Sequence, residues 1–160
     1  MNSIRVSRCA IPSVKKGETQ VLMGQRSIDC RHNGGLFELP GGTAEAGESL
    51  IDTVVREASQ ETGLDIQVLT GSPVLAEARR IHDGKHAGRQ YLGFGVVACR
   101  MGGELRLSPE HSDLVMLGLD AAMRNPFVTE GSKKILTALM GPILQIAPTL
   151  SEDARVTLNL

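Results

Sequence analysis

The segment from Gly41 to Leu64, GGTAEAGESLIDTVVREASQETGL, constrains the chain more than any other. It reads as a glycine loop running straight into a capped helix. Ser49 is the predicted N-cap, and Asp52, three residues on, completes a box-like pair. Leu50, Ile51, Val54, Val55 and Ala58 recur at helical spacing and predict one apolar face. Gly63 supplies the left-handed residue that commonly ends such a helix.

Two kinds of chemistry fit a glycine loop ahead of a helix. Gly42, Gly47 and Ser49 match the glycines and hydroxyl of a phosphate-binding G-x-x-x-x-G-K-[ST] loop. That loop needs a lysine at position 48 to neutralise phosphate, and here Glu48 stands there with the wrong sign. The phosphate loop is therefore rejected. The alternative is a metal site. Glu57 and Glu61 lie four apart on the predicted helix and Glu57 and Gln60 three apart, so all three oxygen-bearing side chains share one face. Hard cations such as Mg²⁺ prefer oxygen ligands, with water and substrate phosphates completing the shell. A glycine in the loop also lets a backbone carbonyl approach closely. Taken alone, a Glu/Gln/Glu trio is more often a solvated helix face.

The spacing goes further. Gly42, Glu48, Arg56, Glu57, Ala58, Gln60, Glu61, Gly63 and Leu64 resemble the Nudix box, G-x(5)-E-x(7)-R-E-U-x-E-E-x-G-U with U a bulky aliphatic. Ala58 and Gln60 are the two departures. The lead-in Leu39-Pro40-Gly41-Gly42 and the later segment Ser108-Pro109-Glu110-His111-Ser112 are also similar to the family, and the resemblance spans about Ile4 to Leu139. It implies an α/β fold, an α/β/α sandwich with a mixed sheet. It also implies a metal-dependent pyrophosphohydrolase that cleaves a nucleoside diphosphate linked to another moiety, with Mg²⁺ or Mn²⁺ as cofactor. By position, Glu57, Glu61 and the Gly42 carbonyl would hold metal, Arg56 would pair with a box carboxylate, and Glu48 would be a supporting or water-linked carboxylate. Gln60 stands where the family has a metal-ligand glutamate. Its amide oxygen can coordinate but carries no charge, which motivates the rival reading of a weak or inactive nucleotide-binding sensor module. Ala58 implies a packing loss in the core face.

Outside the box, Glu110 is a candidate further metal ligand or general base, against the plainer reading of a turn residue beside Pro109. Arg26, at the end of a predicted strand, is a candidate phosphate contact; Arg79, Arg80 and Arg89 flank a predicted hairpin and are candidates to line the substrate cleft, Arg89 first among them, against the plainer reading of solvated charge. His82 and His86 flank Asp83-Gly84 in a turn, which argues against a zinc pair. His32 and His111 read as surface loop histidines. Phe127 is expected to pack in the core or a lid rather than stack on a base.

The rest of the chain reads as one mixed α/β domain over residues 1–160, a length that supports a sizeable core without staples. Strands are expected over 4–14, 19–26, 36–39, 66–82 with a break at 71–73, 91–99 and 114–119. Gly102-Gly103 is expected to turn the chain so that Leu105 to Leu107 pairs back. Asp120 is expected to cap a short helix to Arg124, and a last helix should start at Glu130 and be kinked or broken at Gly141-Pro142. The strand-like end, Val156 to Leu160, suggests a homodimer built by sheet addition.

Composition excludes several classes. The net charge is -1, which gives no basic excess for duplex nucleic acid. Phe37, Tyr91, Phe94 and Phe127 are the whole aromatic complement, too few for a base-stacking platform. Cys9, Cys30 and Cys99 form no C-x-x-C and read as reduced thiols of a cytoplasmic protein. No apolar run is long enough to span a membrane, and the first residues do not read as a signal peptide. The expected partner is a small nucleotide or diphosphate substrate.

Overall fold

The computed structural model describes residues 2–150. The order is β1 (Ser3–Ala10), β2 (Pro12–Lys15), β3 (Glu18–Arg26), β4 (Phe37–Glu38), β5 (Gly41–Thr43), α1 (Leu50–Thr62), β6 (Leu64–Val68), β7 (Val74–Arg80), β8 (Gln90–Gly103), β9 (His111–Gly118), α2 (Leu119–Arg124) and α3 (Glu130–Ile146). One sheet is mixed: β1 runs parallel to β8 and antiparallel to β5, while β6 and β7 pair antiparallel with successive halves of β8. A second, antiparallel sheet carries β3 between β2 and β9, with β4 on the end of β3.

Side-chain alternation explains the layering. Successive strand residues face opposite sides. Cys9, Ile11, Leu22, Val96 and Ala98 pack with Val54 and Ala58 of α1. Their neighbours Ala10, Val21, Met23 and Val97 pack with Ile135, Leu136, Leu139 and Ile143 of α3. The result is the expected α/β/α sandwich, with the sheets as the middle layer. Gly95 lets α3 come close: a Cβ there would lie 2.6 Å from Ile135 and 3.0 Å from Leu139.

Helix α1 is built from its local signals. The Ser49 hydroxyl accepts from the Asp52 N–H at 3.0 Å and donates to the Asp52 carboxylate at 2.7 Å, and Gly63 closes the helix in the left-handed conformation. Its buried face departs from the expectation. Val54, Ala58, Glu61 and Thr62 are buried, whereas Ile51 and Val55 are 36% and 39% exposed. Strand β5 lies beside α1 on the Glu57/Glu61 side, and the buried arc is displaced toward it.

Other expectations are corrected. The strand after α1 begins at Leu64, directly after Gly63. Residues 104–107 form no strand; the Arg106 N–H donates to the Thr62 carbonyl at 2.9 Å, so this segment seals the end of α1 while β8 runs on to Gly103. Helix α2 starts at Leu119 after Gly118, and Asp120 sits in its first turn without capping it. Helix α3 continues through Pro142 to Ile146, held by the burial of Leu139, Ile143 and Ala147 on either side of the proline. Phe127 is 60% exposed rather than packed, because its backbone, not its ring, is used: the Phe37 N–H donates to its carbonyl at 2.8 Å. The strand-like end from Val156 to Leu160 lies outside the described residues. No helix among the described residues is long and apolar enough to cross a membrane. The three cysteines are free, and burial pushes the Cys9 thiol up to about 12, leaving it inert.

Candidate active site

Strands β1, β4 and β5, helix α1 and the 108–110 loop enclose an open cleft of about 660 Å³. Its acidic floor comes from α1. Helical spacing sets Glu57 and Glu61 one turn apart, and the two glycines of β5 bring backbone against them. A Cβ on Gly42 would lie 2.6 Å from the Glu57 carboxylate. Gly41 has φ +148, and a side chain there would run into the Ser7 carbonyl and the Arg8 Cα. Its N–H donates to Glu61 Oε2 at 2.9 Å.

Arg56 organises the carboxylates. Its Nε and Nη2 make a bidentate pair with Glu48 at 2.8 and 3.0 Å, while Nη1 donates to Glu57 Oε1 at 2.6 Å. The same Nη1 lies 3.4 Å from the Gln60 amide oxygen. Glu48 also accepts from the Glu45 N–H and the Thr53 hydroxyl, each at 2.9 Å. The Arg56 hydrogen bonds, with the Glu45 N–H next, hold Glu48 at about 2.

The opposite wall is basic at its surface, and of its residues Arg26 is a candidate from sequence while Arg8, Glu38 and His111 are not. Glu38, the last residue of β4, is 3% exposed and lies between two guanidiniums: Arg8 Nη2 at 3.2 Å and Arg26 Nη1 at 3.0 Å. Arg8 also donates to the Leu39 carbonyl at 2.8 Å and Arg26 to the His32 carbonyl at 3.0 Å. His111 opens β9 and is buried, not on the surface as its loop-like sequence suggested. Gly24 makes room for its ring, the Ser108 hydroxyl lies 2.9 Å from Nδ1, and Nε2 lies 3.9 Å from Glu38. Burial works to raise the Glu38 carboxyl, but His111, Arg8 and Arg26 outweigh it and hold it at about 2. One sequence signal for Arg8 existed: strand alternation sets it on the same face as buried Val6 and Ala10.

The residues singled out from sequence divide in two. Gly42, Arg56, Glu57, Gln60, Glu61, Glu110 and Arg26 all line the cleft, and Glu48 stands behind Arg56. Arg89 does not; it lines a neighbouring groove, tied to Asn2 Oδ1 at 3.1 Å and to His86 Nδ1 at 3.0 Å. His82 and His86 belong to that turn, and His86 is half of a hydrogen bond rather than of a metal pair.

The donor set suits a hard divalent cation. Glu38, Glu61 and His111 each present a ligand atom within 4.8 Å of the others, but Glu38 is already engaged by two arginines. Glu61 is the under-compensated group. Desolvation pushes its carboxyl up to about 7, against the pull of the Gly41 N–H and the Arg8 charge. A buried carboxylate in that condition, beside Glu57 and an amide oxygen, is satisfied by a cation with oxygen preference.

Comparison with known proteins agrees with this geometry. The family model described as NUDIX domain matches residues 4–139. A NAD-capped RNA hydrolase NudC of Photobacterium profundum is 41% identical over 63 residues, 39% of this chain and 22% of that protein. The chain thus covers less than a quarter of the length of the curated relatives it matches. The solution structure of the E. coli ORF135 protein is similar with a TM-score of 0.66 and 27% identity, covering 88% of this chain and 91% of that one. The NUDIX domain of Shewanella oneidensis NrtR, solved in complex with ADP ribose, shares the fold with a TM-score of 0.64 at 18% identity, over 92% and 90% of the chains.

Proposed function

From the premise that the chain belongs to the Nudix family of hydrolases, we propose that it is a metal-dependent pyrophosphohydrolase acting on a nucleoside diphosphate linked to another moiety. The observation that carries this reading is the pairing of floor and wall. Glu57 and Glu61 are fixed against the glycines of β5, and Arg8 and Arg26 face them across the same cleft.

The oxygens of Glu57, Glu61 and Gln60, with the Gly42 carbonyl, would hold Mg²⁺ or Mn²⁺. A divalent ion so bound neutralises a diphosphate and lowers the pKa of a water. The chain's own residues do the remainder. Arg56 fixes the rotamers of Glu48 and Glu57 at once. Arg8 and Arg26, held by Glu38, present their remaining N–H groups to the non-bridging phosphate oxygens. Glu110, on the 108–110 loop at the mouth, accepts the proton of the attacking water. The water oxygen bonds to one phosphorus, the bridging P–O bond breaks, and two monophosphate-bearing products leave.

The similarity to a NAD-capped RNA hydrolase, and the ADP ribose in the NrtR domain, put dinucleotides, NAD-capped RNA and ADP ribose first among substrates to assay. The test is hydrolysis of that panel with Mg²⁺ and with Mn²⁺ by wild type, Gln60→Glu and Glu61→Gln. Turnover by wild type that Glu61→Gln removes is the expected result. No turnover by wild type, with activity gained in Gln60→Glu, would favour the sensor reading that Gln60 motivates.

A further inference from the structure

A second cavity, of about 750 Å³, adjoins the cleft at Thr43 and Glu45, on the loop just past Gly42. The two differ in charge. In the cleft five carboxylates face three arginines; in the adjoining groove three arginines, Arg5, Arg79 and Arg89, face the single carboxylate of Glu45. The first suits cations and the second anions.

The arginines of the groove are held in place. The Arg79 guanidinium carbon sits over the Tyr91 ring, 4.4 Å from the centroid, and its Nε donates to Glu77 at 3.2 Å. These two contacts position the half-exposed guanidinium and leave Nη1 and Nη2 without a protein partner among the described residues. Arg5 donates from Nη2 to the Glu48 carbonyl at 3.1 Å. Arg89 is pinned by Asn2 and by His86 Nδ1. Because an arginine only donates, Nδ1 is the acceptor in this contact, and desolvation and the neighbouring Lys85 and Arg89 charges also disfavour a proton there. The groove therefore offers N–H donors on three sides, with the Glu45 carboxylate at the edge it shares with the cleft and the Glu77 carboxylate paired to Arg79 through Nε.

We propose that this groove binds a further phosphate on the substrate, carried by the moiety outside the scissile diphosphate, with Arg79 as its principal contact. A planar fork with two unpaired nitrogens matches phosphate oxygens better than a single hydroxyl or amide. The proposal rests on the hydrolase reading for its link to turnover, but the groove's affinity for phosphate does not depend on it. Such a phosphate has two sources: a nucleotide phosphorylated at its ribose, or the backbone of a strand whose 5′ end carries the diphosphate.

The test has two parts. The first is kcat/KM for matched pairs: NADPH against NADH, coenzyme A against its dephospho form, and a NAD-capped oligonucleotide against NAD. The second is calorimetric binding of adenosine 3′,5′-bisphosphate, which has no diphosphate bridge, to metal-free protein. The expected result is a preference for the phosphorylated member of at least one pair, carried in KM. Arg79→Ala should reduce that preference roughly tenfold, and Arg79→Lys, which keeps the charge but loses the stacked fork, should restore part of it. Bisphosphate binding should weaken likewise in Arg79→Ala and persist in Glu61→Gln. Preference for the capped strand alone would assign the backbone as the source, and preference for NADPH or coenzyme A the ribose phosphate. Bisphosphate binding through Arg79 in a protein that hydrolyses nothing would uphold the groove and refute the hydrolase. Hydrolysis with no preference in any pair, or bisphosphate binding indifferent to Arg79, would overturn the groove.

Discussion

Arg56 ties Glu48 and Glu57 with three donors of one planar group, a geometry that an ammonium cannot reproduce. Arg56→Lys should therefore keep the fold and lose turnover by roughly 10–100-fold, in kcat more than in KM, as supporting contacts of metal sites do. Steady-state kinetics beside an unchanged circular dichroism spectrum would check this. Glu61 gives a pH dependence. Its carboxyl is raised from 4.5 to about 7 by burial, so the metal-free folded state keeps the proton that the unfolded chain gives up. That group's contribution is full below about pH 4.5 and is lost as pH rises toward 7, by on the order of 3 kcal/mol. Denaturant midpoints of metal-free protein at pH 5 and pH 8 should show Glu61→Gln losing less stability across the interval than wild type. The sequence made the box residues legible because one helix carries them at fixed spacing. Glu38 and His111 were not legible: they lie on β4 and β9, far apart along the chain, and the strand register against β3 brings them together.

Among the elements, α1 was readable from its caps and apolar spacing, yet its buried face is set by β1, β5 and β6 together, which no local signal of the helix announces. Helix α3 shows the reverse. Pro142 marks a local break, and burial of Leu139 and Ile143 against the sheet overrides it. The contact between α3 and β8 depends on the missing side chain at Gly95. Gly95→Ala would press on Ile135 and Leu139, branched side chains packed in the core, and should cost roughly 1–3 kcal/mol. Thermal unfolding should report the loss. Gly95 also pairs with Arg8 of β1, which lines the cleft, so the KM of a cleaved substrate should report whether the disturbance reaches that arginine.

For the whole molecule, the near-neutral charge conceals a separation into an acidic cleft and a basic groove that share one edge. Composition argued against duplex binding on net charge, but local fields depend on which strands become neighbours, and only the fold supplies that. The layering depends most on β8, whose alternate residues belong to the two opposite cores. Neither of its edges is bare in the middle. Strand β1 runs along one side, and on the other the gap between β7 and β6 is closed where Val97 donates to the Thr70 hydroxyl at 3.2 Å and accepts from the Leu69 N–H at 2.8 Å. An amide so placed can meet solvent only when both halves of the protein come apart. Deuterium uptake at Val96, Val97 and Ala98 should thus be the slowest in the chain, with an opening free energy equal to that of global unfolding. Those few amides are a built-in gauge of the entire fold, readable without denaturant.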